Sequence, residues 1–216
     1  MSRGLGDVYK RQPLTLFTVV ALAPAAHASP VAPYGSRPMG RSYAGWTREV
    51  GQFYLGDASN PLIAGLNGDC GQLRDGVFMM AAPIDLNVQF DCAVPTGTWI
   101  VFSPTGFFAT KGIDGTTDAE LEAAAKVGFE TSVNWLKIDG VNIPLRDIDT
   151  GAYNVSSQSG SFYDAILGVG TGPIRTVLIA NVVAIHPLTP GDHTIQSAVT
   201  FVNDGAFSAT YHIHVG

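Results

Sequence analysis

The stretch that decides the fold runs from Leu188-Thr-Pro-Gly-Asp-His-Thr-Ile195 to Ala206-Phe-Ser-Ala-Thr-Tyr-His-Ile-His-Val215. Residues 193–202 are rich in Thr, Ile, Val and Phe. Asn203-Asp204-Gly205 follows, a turn signal in which Gly takes positive φ. Residues 206–215 then alternate without a break. Phe207, Ala209, Tyr211, Ile213 and Val215 share one face; Ala206, Ser208, Thr210, His212 and His214 share the other. Pairing Val202 with Ala206 sets Ile195 opposite Ile213 and Phe201 opposite Phe207, so the apolar faces of the two strands coincide. A bulge at Gly205 shifts that register by one residue. The expectation is an antiparallel hairpin closing an all-β domain.

Working outward, the same alternation recurs. Ile84, Leu86, Val88, Phe90 and Cys92 interleave with Asp85, Asn87, Gln89 and Asp91. Residues 76–82 and 176–185 are apolar runs that suit strands buried on both faces. Pro95-Thr-Gly97 turns the chain into a strand over 98–102, and Pro104-Thr-Gly106 turns it again. Residues 131–138 and 141–143 read as a hairpin about Asp139-Gly140. Residues 146–161 are polar and read as an irregular surface loop.

Two helices interrupt this pattern. Ser42 caps one over 43–55, with Trp46, Val50, Phe53 and Tyr54 on one stripe. The stripe packs on a sheet, or else offers an aromatic ligand platform. Thr117 caps a shorter helix over 118–126, acidic at its start and ending on Lys126. Strands follow strands, so βαβ alternation is absent. The expected fold is an antiparallel β-sandwich, jelly-roll or immunoglobulin-like, with an N-terminal amphipathic helix and one helical insertion.

The chain has 216 residues, 46% hydrophobic and 14% charged, which suits one domain with a substantial core. Residues 13–28 read as a secretory leader: an apolar run over 14–23, then Ala26-His-Ala28 as an A-x-A cleavage pattern. Gly6-Asp-Val-Tyr-Lys-Arg-Gln12 reads as translated sequencing-adapter sequence, in which case residues 1–12 carry no biology. Residues 29–41 form an extended arm and 42–216 the domain. The net charge is −6, and removing 1–28 takes away Arg3, Asp7, Lys10 and Arg11, leaving about −8. That balance counts against nucleic acid or an anionic membrane as partner. The apolar runs are too short for a membrane span.

Export changes how Cys70 and Cys92 are read. The only two cysteines of an exported chain are expected to form one disulfide; the alternative is a thiol nucleophile or half a metal site.

Together the blocks Gly40-Arg-Ser-Tyr-Ala-Gly-Trp46, Asn60-Pro-Leu62, Cys70, Cys92-Ala-Val-Pro-Thr-Gly97, Ile138-Asp-Gly-Val141, Pro187-Leu-Thr-Pro-Gly-Asp-His-Thr-Ile195 and Tyr211-His-Ile-His-Val215 resemble an uncharacterised family of secreted bacterial proteins. The resemblance covers nearly the whole chain after residue 28 and implies an exported β-sandwich with no known activity. It departs in the first helix, where the family carries several tryptophans and this chain keeps only Trp46.

Candidate chemistry is sparse. His212 and His214 form an H-x-H pair whose side chains lie ~7 Å apart on one strand face, a spacing that zinc or copper sites use. A third ligand is needed; His193 lies on the opposite face and His186 lies in a loop. Asp147, Asp149 and Asn154 resemble the start of a calcium loop, but the distal acid is missing, and Asp164 is far along. No G-x-S-x-G elbow occurs, and no pair of carboxylates is singled out for glycosidase chemistry. The sequence therefore points to a non-enzymatic exported binding or structural domain for a glycan, small molecule or protein. The competing expectation is a metal-dependent enzyme using His212 and His214. Function in such scaffolds sits on end loops, here 56–75 and 147–172.

Overall fold

A computed structural model describes residues 29–59, 62, 68–82, 85, 87–201 and 205–216. The expected leader, Ile84, Leu86, the Asn60-Pro61 pair and the turn at 202–204 lie outside them. The fold is mostly β, in two mixed sheets of five strands. The strands are β1 Gly71–Arg74, β2 Val77–Met80, β3 Val88–Val94, β4 Trp99–Thr110, β5 Ser132–Ile138, β6 Val141–Ile143, β7 Asp147–Ser157, β8 Gly172–Ile185, β9 Gly191–Phe201 and β10 Gly205–Val215. One sheet has the order β1-β2-β4-β8-β7, the other β3-β10-β9-β5-β6.

Both sheets depart from the antiparallel expectation. β2 runs parallel to β4, and β3 runs parallel to β10. Each parallel neighbour comes from a different part of the chain, so strand-by-strand alternation carries no trace of it. The terminal hairpin forms, but its closing pair is Phe201–Gly205 instead of Val202–Ala206. Ile195 therefore faces Tyr211, and Val199 faces Phe207. Gly205 takes φ +88°, a conformation glycine adopts at no steric cost, and this lets it close the ladder itself. Partners slip by two positions, an even number, so the apolar faces still coincide.

Two further expectations are corrected. Pro104 does not turn the chain; β4 passes through it, with a bulge between Phe102 and Thr105. Proline has no N–H for the ladder and is tolerated at such a bulge. Residues 147–157 form a strand, β7, paired along β8 and broken by a bulge between Asp149 and Ala152. Gly151 takes φ +57° there, and the break disrupts the period-two pattern that identifies strands.

The first helix, α1, spans Tyr43–Gly51, capped by Ser42 Oγ accepting from the Gly45 amide, and continues as a π-helical turn, Gln52–Gly56. Trp46, Val50, Phe53 and Tyr54 are all buried, so the stripe is packing and not an exposed platform. Trp46 Nε1 donates to the Pro38 carbonyl (3.0 Å). The second, α2, spans Asp118–Glu130 and outruns its expected end at Lys126. A capping box starts it: Thr117 accepts from the Glu120 amide while the Glu120 carboxylate accepts from the Thr117 amide.

Alternate residues of β4 and β8 enter different clusters. Ile100, Phe102, Val183 and Ile185 join Leu136, Ile138, Ile195, Tyr211 and Ile213 in the core shared by the two sheets. Val101, Leu178, Ala180 and Val182 pack instead against α1 and its π-helical turn. Farther along, Val177, Ile179 and Ala109 pack against Leu121, Ala125 and Phe129 of α2. One sheet thus has a helical layer on one face, and the second sheet plus α2 on the other.

Cys70 and Cys92 form the expected disulfide, joining the chain before β1 to β3 and so linking the two sheets. It closes a loop of 22 residues, for which the chain-entropy model gives about 3 kcal/mol. Reduction is expected to lower the urea midpoint by a corresponding amount; equal midpoints with and without reductant would show that the bridge adds no stability.

Candidate functional site

Beside the bulge at Pro104 lies a cavity. β2 pairs with β4 only over Val77–Met79 and Trp99–Val101. From Ser103 onward, that side of β4 has no strand neighbour among the described residues. A cavity of about 360 Å³ occupies this notch. Val50, Tyr54 and Leu55 wall it from the helical layer, Leu178 from β8, and Val199, Phe201 and Phe207 from the other sheet. Leu62 and Phe162 complete it, one from each of the two regions in which the sequence placed function.

Among the described residues, the wall carries no charged side chain. Its polar groups are largely occupied: Tyr54 Oη donates to the Met80 carbonyl (2.7 Å), and Ser103 Oγ donates to the Thr105 carbonyl (3.1 Å). Burial pushes the Tyr54 phenol well above the ordinary tyrosine range, so it keeps its proton. The Thr105 hydroxyl oxygen is buried without a protein partner. Such a surface excludes ions, because burying an unpaired charge is costly, and it holds no acid–base pair. The volume falls within the range of small-molecule sites. Sequence reading takes Pro104 for a turn and misses this notch; a proline inside an apolar run is the signal that could have found it, because proline in a strand marks an edge or a bulge.

The histidines lie elsewhere. His212 and His214 sit on the outward face of β10, with His212 beside Asp91 of β3 and Thr194 of β9. His214 Nδ1 and Asp192 Oδ1 are 2.6 Å apart. His193 projects from the other face of β9, and His186, beyond β8 in the other sheet, packs on Trp99 with ring centroids 4.5 Å apart. Neither joins the pair. Among the described residues, no three His, Cys, Asp or Glu side chains are grouped to hold a metal ion. Asp147 Oδ1 accepts from Asn181 Nδ2 (2.9 Å), and Asp149 Oδ1 accepts from the Gly151 amide (2.8 Å), so both serve β7 locally. Asn154 pairs with Arg175 in the β7–β8 ladder, and Asp164 Oδ2 accepts from the Gly160 amide in a separate turn.

His193 is held between two acceptors. Its Nδ1 lies 2.7 Å from Asp139 Oδ2, and its Nε2 lies 2.9 Å from the Thr189 carbonyl. Both ring nitrogens face acceptors, which suits the imidazolium, a double donor. Partial burial pulls the pKa down. The hydrogen bonds to Asp139 and Thr189, with the charges of Asp139 and Asp192, outweigh it and raise the pKa above 6.5. Asp139 Oδ1 also accepts from the Thr194 amide (2.8 Å), so this cluster ties the β5–β6 turn to β9.

Compared with known protein families and with curated proteins, the chain matches none.

A raised folded-state pKa contributes stability that is full below the unfolded value and lost as pH rises through the folded value. The melting temperature is therefore expected to fall as pH rises from about 6.5 through the folded pKa of His193. Asp139→Asn should flatten that slope in a thermal series from acid to mildly basic pH; an unchanged slope would exclude the pair as its source.

Proposed function

We propose that this chain is an exported, non-enzymatic binding domain on a β-sandwich scaffold, and that it takes a small, uncharged, apolar molecule into the notch beside β4. The observation that carries this reading is the cavity itself: about 360 Å³, walled by aliphatic and aromatic side chains from both sheets and the helical layer, with no charge on its wall among the described residues. Rigid elements supply nearly all of that wall, so little ordering entropy is lost when a ligand enters. The space equals that of roughly a dozen waters at ~30 Å³ each, the size of a compact aromatic or a short acyl chain.

Three observations support export. The Cys70–Cys92 disulfide suits an oxidising compartment. The leader pattern over 13–28 and the resemblance to secreted bacterial proteins point the same way. Separately from export, no helix among the described residues is long and apolar enough to cross a membrane.

The neutral dye N-phenyl-1-naphthylamine tests the site, because its fluorescence rises in apolar surroundings. A saturable rise with one equivalent per chain is expected. Val199→Phe should weaken it about tenfold by placing a ring in the cavity. Its melting temperature should hold, whereas the same change in a filled core would cost about 1–3 kcal/mol. A wild-type protein that gives no saturable rise sinks the reading.

A further inference from the structure

The outward face of the β3-β10-β9-β5-β6 sheet carries a second, chemically different site. Its strand register places Gln89, Thr210, Gln196 and Lys137 side by side across β3, β10, β9 and β5. The neighbouring row holds Ser208, Ala198 and Trp135. Trp135 is 44% exposed, with Lys137 Nζ 5.4 Å from its ring centroid. Trp135, Gln89, Gln196, Thr210, Ser208 and Asn87 together line a depression of about 230 Å³.

We infer that this depression binds a neutral polysaccharide of β-linked pyranoses with equatorial hydroxyls. Such a sugar has a flat face of C–H bonds and a rim of hydroxyls that both donate and accept. The depression has the complement of each. The indole supplies an apolar ring with an electron-rich face. The side chains of Gln89, Gln196 and Thr210 have no hydrogen-bond partner among the described residues. Amides and hydroxyls both donate and accept, as sugar hydroxyls require. Adjacent strands are ~4.8 Å apart, so the three polar side chains span about 10 Å, the reach of a short oligosaccharide segment.

Charge decides against other occupants. The next rows carry Asp91, beside His212, and Asp192, whose carboxylate lies 2.6 Å from His214 Nδ1. Only Lys137 in the row is basic, so the face offers no cluster of positive charge to draw an acidic polymer. The row beside the indole, Gln89, Thr210 and Gln196, is polar, unlike the apolar centre of a protein interface. The cavity beside β4 lies against the opposite face of this sheet, so the two sites are independent.

Affinity electrophoresis in native gels tests the assignment, with soluble mixed-linkage β-glucan as probe. Retardation by β-glucan is expected. Trp135→Ala should weaken it about tenfold, and Gln196→Ala several-fold, with melting temperatures and naphthylamine binding unchanged. Val127→Ala, on the exposed side of α2, should bind as wild type. No retardation of the wild type overturns the proposal. So does retardation by dextran or polygalacturonate as strong as by β-glucan, or a Trp135→Ala protein that binds undiminished.

Discussion

Two tyrosine hydroxyls hold the end of β2, and the rest of the architecture is arranged around that hold. Tyr54 reaches from the helical layer to the Met80 carbonyl at 2.7 Å. Tyr211 reaches from β10 to the next carbonyl, that of Ala81, at 2.9 Å. The two come from opposite sides of one sheet. Tyr211 is wholly buried, stacked on Phe90 with centroids 4.7 Å apart and in edge contact with Phe102 at 5.2 Å. A buried carbonyl without a donor costs about 1–3 kcal/mol. By satisfying both carbonyls, the phenols let β2 leave the sheet after a short pairing with β4. The notch in which the cavity lies is the consequence. Burial pushes both phenols above the ordinary tyrosine range, so the clamp does not titrate near neutral pH.

How much of this was legible depends on distance along the chain. The β5–β6 hairpin is written in Asp139-Gly140, both at positive φ, and it forms as read. The Thr117 cap and the core orientation of Cys92 are equally local and equally plain. β7 was hidden because the bulge at Gly151 breaks its alternation. The full length of β4 is not legible because Pro104 resembles a turn, although a bulge accommodates it. The parallel partners of β4 and β10 come from remote segments, and neither residue period nor turn chemistry encodes them. The cavity escapes the sequence for the same reason: its wall is assembled from eight separate stretches.

The terminal hairpin shows which errors of register matter. A slip of one residue would exchange the faces of β10, sending His212 and His214 into the core and Tyr211 into solvent. The observed shift of partners by two moves each contact along the strand and leaves every side chain on its face. Phe207, Ala209, Tyr211 and Ile213 stay inward, and Thr210, His212 and His214 stay outward. One strand therefore serves the shared core with one set of residues and a polar surface with the other.

The mixed topology accounts for the placement of the cavity on one side of β4 and not the other. On one side β8 accompanies β4 from Ile100 to Thr110, so that edge is closed. On the other, β2 runs parallel and stops at the level of Val101. An antiparallel hairpin partner would continue along β4 and cover its edge. A parallel neighbour enters from elsewhere and can leave early. Pro104 sits just beyond that departure, and with no N–H it leaves no donor exposed to an apolar space. Phe102 points into the shared core, and the bulge after it re-aims the strand. The proline thus makes an open strand edge compatible with an apolar cavity.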